Sequence, residues 1–313
     1  MLTFSRAKSY LFLFLAFIPG YCQMVMAQQS LIEDAGVNSL LTGKQRKALS
    51  ILKGLDTTSP SLLWPNLSPD LFFSNIRKNI EHPESINQGQ QTNFCGYAAL
   101  THLLLKYQPD VYVQSIYTLY REGALVVNRK SIKPSEAVRN AAGTLRRKGE
   151  LDMLHANQMW FLSLADAFKG YMNIVDHHYQ PGDENKIWAG TNLAKFNKMV
   201  KVFTQRKLEL TGSDFIRPWK DDYYAYLKQQ LQEGVVMLFV NSKYLYPHKH
   251  NVLKLRAPTH FIVLYDLNKI NDVLDFKYWD YGLKTEQFIT RKRLKRLIFG
   301  ITTITKYNEE EKL

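Results

Sequence analysis

Up to about residue 232 the apolar positions recur at helical spacing, and after Gly234 they crowd into short runs rich in β-branched and aromatic residues. The helical pattern predicts helices over 44–53, from Ser68-Pro69-Asp70 onward, and over 94–106, 109–121, 134–148, 157–169, 191–204 and 218–232. Ser68 suits a cap and Pro69 the first helical turn. The 94–106 segment carries Ala98, Ala99, Leu100, Leu103, Leu104 and Leu105, so it reads as a helix buried on most sides rather than a surface helix.

The β-type runs are 235–240, 259–265, 273–279 and 301–305. The turn over 268–272 is short enough for a hairpin, which makes the second and third runs antiparallel neighbours. Helices first and antiparallel strands afterwards predict an α+β fold. The polar, turn-rich segment 81–90 marks a boundary, so 28–85 is expected to be a helical N-terminal extension, with the main domain over 86–313. A removable pro-segment would show the same pattern at 28–85.

Residues 1–27 have the layout of a secretory signal peptide: Arg6 and Lys8, an apolar run over 10–18, then Pro19-Gly20 and the small residue Ala27. The run is short of the roughly 20 residues that span a bilayer, so no stable membrane span is expected after cleavage near Ala27. Export is the expectation, whether to a periplasm, a cell surface or the medium. Composition agrees with a folded chain, at 45% hydrophobic and 22% charged over 313 residues. Without Arg6 and Lys8 the chain keeps 39 basic against 28 acidic residues, or +11. Such a charge favours anionic cell-surface polymers, lipopolysaccharide or an acidic substrate, and no motif points to nucleic acid.

Of the two cysteines, Cys22 leaves with the signal, so Cys95 is a lone thiol and no internal disulfide forms. Most free cysteines are buried small hydrophobes. At the start of a helix, however, a thiol meets unpaired backbone N–H groups and the positive end of the macrodipole, which predicts a lowered pKa. The same N–H groups suit a developing oxyanion, and Gly96 leaves room for a substrate backbone. His260 opens a strand and alternates with Ile262 and Leu264, opposite Phe261 and Val263. The hairpin returns Asp280 toward the start of that strand, where a carboxylate orients an imidazole.

The stretch Asn93-Phe94-Cys95-Gly96-Tyr97-Ala98-Ala99-Leu100 resembles the nucleophile helix of papain-like cysteine peptidases, most like the bacteriocin-leader-processing branch. The Gly234-Val235-Val236 strand, the run Thr259-His260-Phe261-Ile262-Val263-Leu264, and Asp280-Tyr281-Gly282 with Phe288 downstream fit the same layout, over roughly 86–306. The resemblance implies a papain-like fold, a Cys95-His260-Asp280 triad, a peptide or protein substrate and no cofactor. The family places an oxyanion-hole Gln six residues before the Cys; here that position is Gly89, and Gln88 and Gln90 flank it as the two candidates. An acyltransferase or wall-peptide amidase would use the same residues, and an inactive interaction module would keep the fold without activity.

Other features carry blander readings. His177, His178, His248 and His250 lie in polar segments without carboxylate or Cys ligands at metal spacing, so no metal site is expected. His102 lies two turns beyond Cys95, about 10 Å along the helix, and is read as a core histidine. The basic run 291–296 interleaves with Leu294 and Leu297 and is expected to be the solvated face of an amphipathic helix. Tyr278, Trp279 and Tyr281 are read as packing that could wall a groove beside Asp280.

Overall fold

Helices precede a sheet in the computed structural model, which describes residues 41–89, 91–145, 153–168, 177–246 and 257–306. The chain divides into two units, Met1–Thr42 and Gly43–Leu313, and every element below belongs to the second. Its first part holds α1 (Gly43–Lys53), α2 (Pro69–Glu81), α3 (Cys95–Tyr107), α4 (Pro109–Glu122), α5 (Glu136–Ala141), α6 (His155–Phe168) and α7 (Leu193–Thr204). Local chemistry sets several of their ends. Pro109 opens α4, and left-handed Gly123 closes it with its N–H on Leu119 O. The Asn192 side chain caps α7 by accepting from Lys195 N.

The expected 134–148 helix is cut short. It ends as α5 at Ala141, and Gly143 turns left-handed at φ 90 so close to the backbone of Asn66 that a Cβ would lie 2.2 Å from its carbonyl oxygen. Gln158 Oε1 then accepts from Gly143 N and Leu145 N, giving those N–H groups a partner outside any helix.

The second part builds one six-stranded antiparallel sheet. Its strands are β3 (Leu208–Gly212), β4 (Gly234–Val240), β5 (His260–Ile270), β6 (Val273–Asp280), β7 (Leu283–Thr290) and β8 (Ile298–Thr305), in the order β3-β8-β4-β5-β6-β7. A separate hairpin pairs β1 (Leu125–Val127) with β2 (Lys130–Ile132). The 218–232 expectation becomes α8 (Tyr223–Glu233), capped by Asp222, and α9 (Ser242–Leu245) and α10 (Arg291–Leu297) complete the chain order.

Strands β1, β2, β3 and β7 are additions to the sequence reading. Strands β3 and β7 are the two edges of the sheet and are largely exposed, so hydrophobic patterning marks them weakly. Strand β5 also runs five residues past 265, leaving only Asn271 and Asp272 as its turn, with Asn271 left-handed at φ 54. A bulge between Leu264 and Asp266 reverses the side-chain parity of β5 on its way to that turn.

Both faces of the sheet are covered, which explains why β4 is apolar almost throughout. Met237, Phe239, Phe261, Val263 and Trp279 face the core made by α1–α4, α6 and α7. Val236, Leu238, Ile262, Leu264 and Tyr278 face the other way, onto Tyr223 and Leu227 of α8 and Leu294 and Leu297 of α10. Helix α3 lies in the first of these cores, and its residues Cys95 to Leu105 are all buried. The segment 43–85 is built into the same core through Ala48, Leu52, Trp64, Phe72, Ile76 and Ile80. No helix among the described residues is long and apolar enough to cross a membrane.

Candidate active site

Cys95 is the first residue of α3, and the chain reaches it through a loop braced against the far edge of the sheet. Trp279 Nε1 donates to Glu84 O at 2.9 Å, and Gly282, left-handed at φ 80, lets the β6–β7 turn lie against the backbone of Ser85 and Ile86. The loop is tied to itself as well: Thr92 Oγ1 donates to Gln88 O at 2.5 Å, and Gln88 Nε2 donates to Thr92 O at 3.2 Å. Gln88 is thus buried immediately before the helix. Gln90, the other oxyanion candidate, lies outside the described residues.

The sulfur of Cys95 sits against the first residues of β5. Its Sγ–H donates to Thr259 O at 3.9 Å, and the Phe261 N–H points at the same sulfur. The peptide groups on either side of His260 therefore both touch the thiol. His260 pairs in register with Val240 and is itself buried. Its Nε2 bonds Oδ1 of Asp280, which follows Trp279, the β6 partner of Val263, at the same end of the β5–β6 hairpin. The structure thus brings Cys95, His260 and Asp280 to one end of the sheet.

Electrostatics at the thiol run against expectation. Cys95 is only 8% exposed, and burial pushes its pKa up to about 11, with the charge of Asp280 adding to the rise. The N–H groups of Phe261, Gly96 and Cys95 favour the thiolate and are outweighed. A helix start lowers a thiol pKa only where the sulfur keeps some solvent, and here the protein has removed it. Burial also pushes the Asp280 carboxyl well above the usual range, opposed by the Tyr281 N–H.

Gly96 departs from its expected use too. A Cβ there would lie 2.3 Å from Thr191 Cγ2 and 3.4 Å from the rings of Phe196 and Phe261, so α7 and β5 fill the space set aside for a substrate backbone. The residue that the sequence reading undervalues is Tyr281. Its ring stacks on His260 with centroids 4.7 Å apart and planes 13° apart. Tyr281 and Gly282 form the two-residue turn between β6 and β7, and Tyr281 holds φ 47, a left-handed conformation that costs a non-glycine residue about 1 kcal/mol. Trp279, by contrast, stacks on His102 with centroids 4.5 Å apart.

His102 is a core histidine. Its Nδ1 donates to Pro83 O at 2.9 Å, so Nε2 accepts from Tyr265 OH at 2.7 Å. His177 Nε2 meets Asp183 Oδ2 at 2.8 Å, and that carboxylate also takes Lys186 Nζ. His248 and His250 lie outside the described residues. Among the described residues no group of three or more His, Cys, Asp or Glu side chains is placed to hold a metal ion. Asp266 and Asp275, the other carboxylates near the hairpin, pair with Lys228 and Lys277.

No protein-family model matches the chain, and the search of curated proteins found no relative.

Proposed function

We propose that this chain is an exported, papain-like cysteine hydrolase that cleaves a peptide or another amide bond. One observation carries the reading: His260 is bonded to a buried carboxylate on one side while the peptide groups flanking it hold the only cysteine of the second unit. Nε2 is engaged by the Asp280 carboxyl, which leaves Nδ1 as the base. Because the resting thiol is neutral, His260 takes its proton as Sγ attacks the carbonyl carbon, rather than beforehand. The C–S bond forms, the C–N bond breaks, and the imidazolium returns the proton to the leaving amine. Water then cleaves the thioester, giving a carboxylic acid and restoring the thiol. The Cys95 N–H and the second N–H of Gln88, or Gln90, hold the oxyanion.

Acyl transfer to another acceptor, or cleavage of a wall peptide, uses the same groups. The reading also places the chain outside the cytoplasm, with an N-terminus at Gln28 when the exported protein is sequenced. A second reading, an interaction module on this fold, is favoured by the buried thiol of raised pKa.

The test is Cys95 alkylation by iodoacetamide against pH, in the native chain and in His260→Ala, beside hydrolysis of a peptide library. The enzyme reading expects hydrolysis that Cys95→Ala and His260→Ala each abolish, and alkylation below pH 8.5 that His260→Ala removes. Alkylation that merely follows a high thiol pKa in both proteins, with no hydrolysis, would establish the module.

A further inference from the structure

Four of the five tryptophans, Trp64, Trp160, Trp188 and Trp279, are buried. The fifth, Trp219, is 92% exposed, and on the same loop Phe215 and Ile216 are 74% and 73% exposed. Single exposed apolar residues are ordinary, but three large ones on one loop mark a contact surface.

The loop is built to display them. Ser213 Oγ accepts from Phe215 N at 3.2 Å and Ile216 N at 2.9 Å, while Ser213 N donates to Ile216 O and Phe299 O. Gly212, at φ 87, lies so near Phe299 O that a Cβ would come within 2.0 Å of it. Beyond the apolar tip, Tyr223 OH donates to Pro218 O, and Arg217 donates to Arg296 O at 3.1 Å with its guanidinium 4.0 Å over the Phe299 ring. Both ends are pinned to β8, α8 and α10, so the side chains are presented without further ordering of the backbone.

The Arg217–Arg296 bond also sets the loop beside α10, whose Lys292, Lys295 and Arg296 are exposed. Arg291 is engaged by Asp222, and Arg293 turns inward onto Tyr244 O and Leu245 O. Of the acids near the loop, Asp214 accepts from Leu193 N and Asp222 pairs with Arg291, which leaves exposed Asp221 against these cations. The surface around the apolar tip is therefore cationic.

We propose that the 213–219 loop is an interfacial wedge that seats the chain on an anionic lipid surface, with the exposed cations of α10 meeting the headgroups. A protruding Trp-Phe-Ile tip needs an apolar phase to enter, which a lipid surface offers and a polyanionic polymer does not. A stable protein partner would need about 800 Å² of matching surface on each side, far more than a three-residue tip supplies. Basic residues beside the tip add attraction to anionic headgroups.

Trp219 is its own probe, because the other tryptophans are shielded. Vesicles of equal parts phosphatidylglycerol and phosphatidylcholine with brominated acyl chains are expected to quench Trp219 in the full chain, and phosphatidylcholine alone to quench it far less. Phe215→Ser/Ile216→Ser, which keeps the reporter, is expected to lose most of the quenching, and Lys292→Gln/Lys295→Gln to weaken binding about thirtyfold. Trp219→Phe removes the signal and identifies its source. Equal quenching in the Phe215→Ser/Ile216→Ser chain, no quenching by anionic vesicles, or protection of Trp219 from acrylamide by heparin as complete as by vesicles would each overturn the proposal.

Discussion

His102 shows how one buried residue ties stability to pH. Burial lowers its pKa to about 3, from an ordinary 6.5, because a charged ring between Pro83 O, Tyr265 and Trp279 would lose its water. The folded state therefore keeps the ring neutral where the unfolded chain would protonate it. Its contribution is fully present above pH 6.5 and is lost as pH falls toward 3. We expect the native chain to lose about 1.4 kcal/mol per pH unit more than His102→Gln across that window, measured by denaturant unfolding. Cys95 carries the opposite sign. Its pKa of about 11 favours the folded thiol below the ordinary value of 9.0, and that contribution fades as pH rises toward 11. His102 was legible as a core residue from its distance to Cys95. The raised thiol pKa was not, because helix position is written in the sequence while burial of the sulfur comes from the start of β5, distant in the chain, lying against it.

Between elements, the seating of α3 depends on a missing side chain. Gly96 lets the first turn of α3 press against Thr191, just before α7, and against Phe261 of β5. Gly96→Ala is expected to destabilise the fold by about 1–3 kcal/mol, since the neighbours are packed rings and a threonine methyl. In a Thr191→Ser background, which removes that methyl, the loss should shrink; denaturant unfolding of the four proteins measures the coupling. Helices with caps and the central strands were readable because burial writes a period into them. Strand β7 was not, since all its residues except buried Ile289 are exposed or half-buried and its place comes from hydrogen bonding to β6. Likewise α5 ended before its pattern did, because Gly143 is needed against Asn66.

Across the whole molecule, 43–85 is part of the main core rather than a cover laid over it. Removing Trp64, Phe72, Ile76 and Ile80 strips fully buried side chains worth about 1.5–3 kcal/mol each, comparable in sum with the 5–15 kcal/mol stability of a typical domain. A chain starting at residue 86 is therefore expected to show no cooperative thermal transition by circular dichroism. If it folds and hydrolyses substrate, 43–85 is a detachable pro-segment after all.

The sequence by itself determined the α+β order, the buried character of α3, and the candidacy of Cys95, His260 and Asp280, because each rests on local periodicity or on residue type at an element's end. Only the tertiary structure decided that Gly96 serves packing, that Tyr281 covers His260, and that the Cys95 thiol is neutral at rest. Those three depend on what residues distant in the chain do to space and solvent around the site, and no local pattern carries that information.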